Sequence, residues 1–338
     1  MPRICAIDGK FMRNIKGAIV QAKCDIVFSI LSFYIFTRYR KVYKRHCKKS
    51  ERRANAIFPK VYYDKILWRK LFDHEPIFVE MTDKLTARKI ALDRAPQVKV
   101  TDILWEGESI DEFPIDEIEK PCIVKFNTGS GWYFIVNDAT PETKSRLTET
   151  MHGFARQRYF DPESGEWSYL RIENRLFAER LLLDEEGRSP DDYKMFFSNG
   201  ELSQIRVIHD RWENPALLQY HSDLRPIEIE EKGWHRNYEP RDWDMIDRIL
   251  EVGRQLAGDM DFVRIDVFVH NREIYFSEFT LYPSSGSKRS IEIDPLRGEK
   301  WDIRKSYFFR GKLSLFKRIY LSCLNHVYRD SISEIPLK

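Results

Sequence analysis

Hydrophobic and polar positions alternate with a period of two through residues 262–281, FVRIDVFVHNREIYFSEFTL. The runs VRIDVFV and IYFSEFTL are β-branched and aromatic, and a short polar turn at Asn271 and Arg272 separates them. This pattern predicts a two-stranded hairpin. Side chains alternate along a strand, so Arg264, Asp266 and Phe268 are expected on one face of the first strand. Phe276, Glu278 and Thr280 are expected together on one face of the second. With the turn centred on Arg272, Asp266 falls opposite Glu278, Cβ atoms about 5 Å apart.

Similar patterns predict the other elements. Residues 1–50 read as one or two helices, apolar in the middle and basic at the end. Residues 51–95 are helical through YYDKILWRKLFD and TDKLTARKIALDR, punctuated by Pro59 and Pro76. Residues 96–120 form an acidic loop and short-strand region. CIVKFN and WYFIVN are strands joined by the glycine loop TGSG, and residues 140–158 are mostly helical. FAERLLL is a strand, and residues 192–210 form a hairpin turning at Ser198, Asn199 and Gly200. A Trp-rich loop over 211–240 leads to a helix at 243–257. A basic amphipathic helix is expected at 306–329, apolar at Phe309, Leu313, Phe316, Tyr320 and Leu324. Strands and helices alternate without a regular βαβ rhythm, so the expected fold class is α+β.

Composition narrows the partners. A chain of 338 residues with 42 % hydrophobic and 32 % charged residues can bury a core in two or three packed units. A net charge of +3 argues against general nucleic-acid binding. The basic residues are uneven, however: residues 33–53 hold nine Lys or Arg and one acid. That segment reads either as a helix on an anionic membrane surface or as a helix packed on the main domain with a solvated basic face. The apolar run at 26–37 is twelve residues, too short to span a bilayer, and no secretory cleavage site follows it. Five scattered cysteines without a CxxC pair suggest reduced thiols rather than a zinc site or disulfide framework. The expected location is cytoplasmic, with the inner face of a membrane as a peripheral contact. The sequence sets no oligomeric state.

Candidate chemistry begins with the facing carboxylates. Asp266 and Glu278 repel each other in an apolar hairpin unless positive charge sits between them. Mg²⁺ would answer this with hard-oxygen coordination; a salt bridge from Arg264, or one protonated carboxyl, would also do so. Lys125 closes a strand immediately before NTGSG, where Gly129, Ser130 and Gly131 could wrap backbone N–H groups around an anion. No Gly-Lys-Ser/Thr follows, so the loop is not a Walker A motif, and a plain hairpin turn is the alternative. Glu179 in FAERLL could take a ribose hydroxyl or simply mark a solvent-facing position. Lys194 points from one face of its strand, with Asp192 and Arg206 as structural partners. His209, Asp210 and Arg211 end that hairpin as candidates for meeting an acceptor, and no histidine arrangement suggests a catalytic triad.

The order of these features, a Lys before a Gly loop, an E-R-L-L strand and an R-I-D hairpin ending in a second carboxylate, resembles the ATP-grasp superfamily. YPSSGS after the last carboxylate adds to the likeness. The blocks TDKLTARK at 82–89, VKFNTGSGW at 124–132, DYKMFFSNG at 192–200 and FVRIDVFV…IYFSEFTLYP at 262–283 most resemble the TupA-like ATP-grasp proteins of teichuronopeptide and surface-polysaccharide biosynthesis. The likeness covers residues 50–300. It implies two α+β subdomains gripping ATP, at 121–190 and 191–303. A helical region at 51–120 would precede them, with added helical segments at 1–50 and 304–338. It also implies that Lys125 and the loop Gly129, Ser130 and Gly131 contact the ATP phosphates, with Lys84 or Lys89 as a second contact. Glu179 and Leu182 would flank the adenosine. Asp266 and Glu278 would hold Mg²⁺, Arg264 would stabilise the transferring phosphate, and Lys194 would join it in catalysis. Thr280 stands where the wider pattern often has a metal-binding Asn, and is a poorer ligand.

The implied activity is ATP-dependent ligation of a carboxylate to an amine through an acyl phosphate. A uronic acid of a surface glycan would be the carboxylate, and an amino acid or other amine the donor. A sugar kinase would use the same nucleotide site, and a non-catalytic nucleotide-binding scaffold is the third reading, kept open by Thr280.

Overall fold

The computed structural model of the chain describes residues 9–157, 162–210, 215–229, 234, 238–287 and 293–332. Its helices are α1 (Gly9–Arg38), α2 (Arg40–Ser50), α3 (Tyr62–Phe72), α4 (Ile77–Thr82), α5 (Thr86–Arg94), α6 (Pro141–Arg156), α7 (Ile246–Ala257), α8 (Ile293–Gly298) and α9 (Leu315–Ile332). Its strands are β1 (Ile103–Gly107), β2 (Cys122–Phe126), β3 (Tyr133–Val136), β4 (Leu176–Arg180), β5 (Asp192–Ser198), β6 (Glu201–His209), β7 (Ala216–His221), β8 (Phe262–His270) and β9 (Glu273–Thr280). They build two antiparallel sheets, ordered β1-β4-β2-β3 and β7-β6-β5-β8-β9. The fold class is α+β.

Alternation explains how each sheet buries one face. In β2, Cys122, Val124 and Phe126 point into a core shared with Leu147 and Met151 of α6, while Lys125 points the other way. In the larger sheet, Met195, Ile205, Val263, Ile265 and Val267 pack under α7 with Ile249, Val252 and Leu256. A third core joins Val27 and Leu31 of α1, Trp68 of α3 and Tyr320 of α9 to Phe196 and Phe262 at one end of the larger sheet.

Helix α3 is buried on nearly every side, so its polar residues need partners. Arg69, fully buried, pairs with Asp261 at 2.6 Å and donates to the carbonyls of Phe262 at 2.8 Å and Leu281 at 3.4 Å. It therefore ties the start of β8 to the residue just after β9. Lys65 donates to the carbonyls of Gly298 and Trp301 at 2.8 and 2.6 Å. Lys70 donates to the carbonyl and hydroxyl of Ser285, in the turn after β9, at 3.0 and 2.8 Å.

Several expectations need correction. The stretch 211–240 contains a strand, β7, whose ladder on β6 buries Ala216, Leu217 and Gln219; part of this stretch lies outside the described residues. The helix expected from 306 begins at Leu315, because Gly311 takes φ +68° and Tyr307–Phe309 form a separate 3-10 turn. Phe309 is buried with Tyr320 and Leu324 even so. Strand β4 ends at Arg180; Leu181 still donates to the carbonyl of Pro121, next in register on the β2 side, but proline has no N–H to return the bond.

The twelve-residue limit on the first apolar segment also fails. Helix α1 runs for 30 residues, and Ala18–Arg38, 21 residues, is long and apolar enough to cross a membrane by length and composition. Lys23 and Asp25 do not interrupt it. Gln21 donates to the Asp25 carboxylate at 3.0 Å, and the Ser29 hydroxyl donates to the Asp25 carbonyl at 2.8 Å.

Candidate active site

The β8–β9 hairpin turns at Asn271 and Arg272, both with positive φ (50° and 63°), and His270 pairs with Glu273. This is a two-residue turn of the primed kind. It is centred between those residues, half a position before Arg272, so an unbroken ladder would set Asp266 against Ser277. A β-bulge between Asp266 and Val267 adds the missing residue, and Asp266 pairs with Glu278 after all. The same bulge turns Phe276 to the opposite face from Glu278, where it packs in the core with Phe279. Phe276, Glu278 and Thr280 do not share a face.

Arg264 supplies positive charge between the carboxylates. Its Nε and Nη2 donate to the two Asp266 oxygens at 2.6 and 2.7 Å, and Nη2 also donates to Glu278 Oε1 at 2.6 Å. The salt bridge left open by the sequence is present. Lys194, opposite Asp266 on β5, donates to Asp266 Oδ2 and lies 2.7 Å from Asp192. Burial lowers the affinity of Arg264 for its proton, but Asp266 and Glu278 outweigh it and hold the guanidinium well above its ordinary range. Burial raises the Asp266 carboxyl above its ordinary value, against the pull of Arg264 and Lys194. The Thr280 hydroxyl donates to Glu278 Oε1 at 3.2 Å.

The smaller sheet faces this hairpin with cations. Lys125 on β2 donates to Glu179 on β4, whose other oxygen accepts from Thr101 at 2.7 Å and Arg88 at 3.3 Å. Burial pushes the Glu179 carboxyl up, but Lys125, Thr101 and Arg88 together hold it below its usual value. Gly129 and Gly131 take φ of +86° and +79°, the left-handed region that a tight loop requires and glycine adopts freely. The loop is pinned at its start by the Asn127 side chain. Its amide donates to Asp83 at 3.1 Å and to the Glu173 carbonyl at 3.0 Å, and its carbonyl accepts from Arg175 N at 2.9 Å. Lys84 reaches the loop by donating to the Gly129 carbonyl, and burial lowers its pKa to about 8 despite the opposing charge of Glu278.

These groups border one cleft of about 280 Å³. Lys125, Gly129, Ser130 and Gly131 of the smaller sheet and its loop line one side, joined by Lys84 from the turn before α5, and Asp192, Lys194, Asp266 and Glu278 of the larger sheet line the other. Arg264 stands behind the carboxylates. Of the two candidate lysines in TDKLTARK, Lys84 reaches the cleft, while Lys89 is exposed and paired with Asp93. Arg88 on α5, which reaches Glu179 at 3.3 Å, was missed, and no local pattern in the sequence marks that contact. Leu182 lies two residues past β4 and does not line the cleft. His209 turns away to Asp191 at 2.8 Å and stacks on Tyr238, and Arg211 lies outside the described residues.

The arrangement suits a polyphosphate held by two ammonium groups and loop amides, next to hard oxygen donors. Among the described residues no group of three or more His, Cys, Asp or Glu converges as a metal cage. Two carboxylates beside a phosphate site are a fitting donor set for Mg²⁺, which takes its remaining oxygens from phosphate and water.

No curated protein matches the sequence. Among solved structures, the L-amino acid ligase from Bacillus licheniformis is similar at 11 % identity and a TM-score of 0.41, covering 74 % of this chain. The chain spans 54 % of that protein's length. The D-alanine–D-alanine ligase from Bacillus anthracis is similar at 13 % identity and a TM-score of 0.38, covering 74 % of this chain and 69 % of its own. The ATP-grasp ligase PsnB, complexed with a phosphomimetic variant of its minimal precursor, Mg and ADP, is similar at 10 % identity and a TM-score of 0.35. That match covers 75 % of this chain and 61 % of its own. The family model described as TupA-like ATPgrasp matches residues 64–301, well over half of the sequence, and the chain belongs to that family.

Proposed function

We propose that the protein is an ATP-dependent carboxylate–amine ligase. The supporting observation is the opposition, across one cleft, of a phosphate-suited lysine and glycine-loop wall and a wall of paired carboxylates and cations. Lys125, Lys84 and the amides of Gly129, Ser130 and Gly131 bind the ATP phosphates. Glu179 holds Lys125 toward them and flanks the adenosine. Asp266 and Glu278, with Thr280 as a weak neighbour, would hold Mg²⁺, which supplies charge neutralisation at the phosphates when bound.

The acceptor carboxylate attacks the γ-phosphorus, the bond to the β-phosphate oxygen breaks, and ADP leaves. Arg264 and Lys194 offset the negative charge that gathers on the transferring group. The amine then attacks the acyl carbon, inorganic phosphate departs, and the nitrogen loses a proton to give the amide. The glycine loop shields the hydrolysable intermediate from water.

Family membership motivates the finer substrate reading. The carboxylate is a uronic-acid residue of a surface polysaccharide or its precursor, and the donor is an amino acid or amine. The basic α2 and the exposed apolar residues of α1 support a working place at the cytoplasmic face of a membrane. The domain division at residues 51, 121, 191 and 304 is part of the same proposal.

ADP release with Mg-ATP, uronate oligosaccharides and hydroxylamine tests the reading, since hydroxylamine traps an acyl phosphate as a hydroxamate. A hydroxamate is expected. ADP with a phosphorylated sugar and no hydroxamate would replace the ligase with a kinase.

A further inference from the structure

We propose that the joint between α1 and α2 is a docking surface for an anionic membrane: an exposed apolar seam of α1 enters the bilayer boundary, and the basic cleft beside it takes the phosphate of a lipid headgroup. This rests on the membrane-face reading above and names its site and its ligand.

Helix α1 carries two apolar seams. Cys24, Val27, Leu31 and Ile35, spaced three to four residues apart, are buried in the core that also holds Tyr320, Cys323 and Leu324 of α9. Ile19, Ile26, Ile30 and Phe33 repeat at helical spacing on the far side, and they are 52, 59, 51 and 70 % exposed. From residue 18 to residue 37 the only charges are Lys23 and Asp25. A helix packed on a soluble domain ordinarily turns a polar face to water. A second seam of exposed isoleucine and phenylalanine calls for an apolar surface to cover it.

Charge identifies the cover. Where α1 meets α2, a cleft of about 1050 Å³ opens toward residues 162–171 and is lined by Arg38, Arg40, Lys41, Lys70 and Arg171, with Trp167 among them. The acid there, Glu163, is paired with Lys41 at 2.7 Å. Helix α2, RKVYKRHCKKS, adds further cations and contains no acid. A second copy of the chain would set these cations against themselves, whereas an anionic bilayer offers phosphate to the cleft and acyl chains to the seam. The helix lies along the boundary rather than through it, because its inner seam is already packed against α9. None of the residues lining this cleft lines the ATP cleft.

The test is co-sedimentation of the full chain with vesicles of phosphatidylcholine alone or mixed with phosphatidylglycerol, at low and high salt. Binding is expected only to the anionic vesicles, weakened by salt. Ile26→Glu with Phe33→Glu, and separately Arg38→Glu with Arg171→Glu, should each reduce it by about tenfold or more. All four positions are exposed, so folding should survive. Equal binding to neutral vesicles, unchanged binding by either double variant, or self-association through Phe33 without vesicle binding would overturn the proposal. ADP release measured on the same samples keeps the two readings apart. A chain that binds anionic vesicles but never turns over ATP loses the ligase reading and keeps this one.

Discussion

Lys194 and Asp266 are directly opposed across β5 and β8, and their ammonium–carboxylate contact is almost closed to solvent, with Asp266 only 1 % exposed. Removing one partner of a buried pair strands the other. Lys194→Met should therefore destabilise the fold by about 3 kcal/mol, held near the low end because Arg264 still reaches both Asp266 oxygens. Urea unfolding at neutral pH measures this. A change under about 0.5 kcal/mol would mean that Arg264 alone satisfies the carboxylate.

Glu278 is the more exposed of the two carboxylates, and Asp266 keeps both its cations when Glu278 is neutralised. Glu278→Gln should leave circular dichroism and the unfolding midpoint near wild type. It should lower Mg²⁺-dependent ADP release by about a hundredfold or more. Retained turnover would remove Glu278 from the metal-binding role.

Glu179 gives a pH signature. Its folded pKa lies below the ordinary value of 4.5, so its contribution to stability is fully present above 4.5 and is lost as pH falls through the lowered value. Unfolding of wild type and Glu179→Gln should differ by about 3 kcal/mol at pH 7, and the gap should close in acid below 4.5. A gap independent of pH would show that shape, not charge, is what Glu179 contributes.

Lys84 titrates in the opposite range. Its pKa of about 8 makes it cationic below that pH and increasingly neutral above it. ATP affinity, followed by calorimetry, should fall as pH rises through and beyond 8, while Lys84→Arg should flatten the profile because guanidinium stays charged. A wild-type profile as flat as the variant's would place Lys84 outside the phosphate contacts.

Local alternation made the two central hairpins readable: Asp192–Ser198 with Glu201–His209, and Phe262–His270 with Glu273–Thr280, lie where period-two runs and turn residues put them. The pairing of Asp266 with Glu278 was reached by a turn centre half a residue off, offset by a bulge that no sequence pattern announces. Strand β7 was hidden because its burial comes from pairing with β6, a tertiary effect with no local period. The contacts of Lys84 and Arg88 depend on α5 resting beside the smaller sheet, which spacing along one helix cannot reveal. Lys125 and Glu179 were each legible as site candidates, but their contact joins residues 54 apart and had to be seen.

The dry pair of Arg69 and Asp261 bears on whether the chain can be divided. Arg69 belongs to a helix that comes long before both sheets in sequence, yet its guanidinium is the interior fastening at the open end of the carboxylate hairpin. A fragment cut to begin at either sheet would keep every strand of the larger sheet and still carry Asp261 as an uncompensated buried charge. The helical region ahead of the sheets is thus an internal part of the hairpin's own folding unit, so sequence order and autonomy of folding part company here. Shuffling this carboxylate hairpin into another protein, by evolution or by design, would have to carry α3 with it.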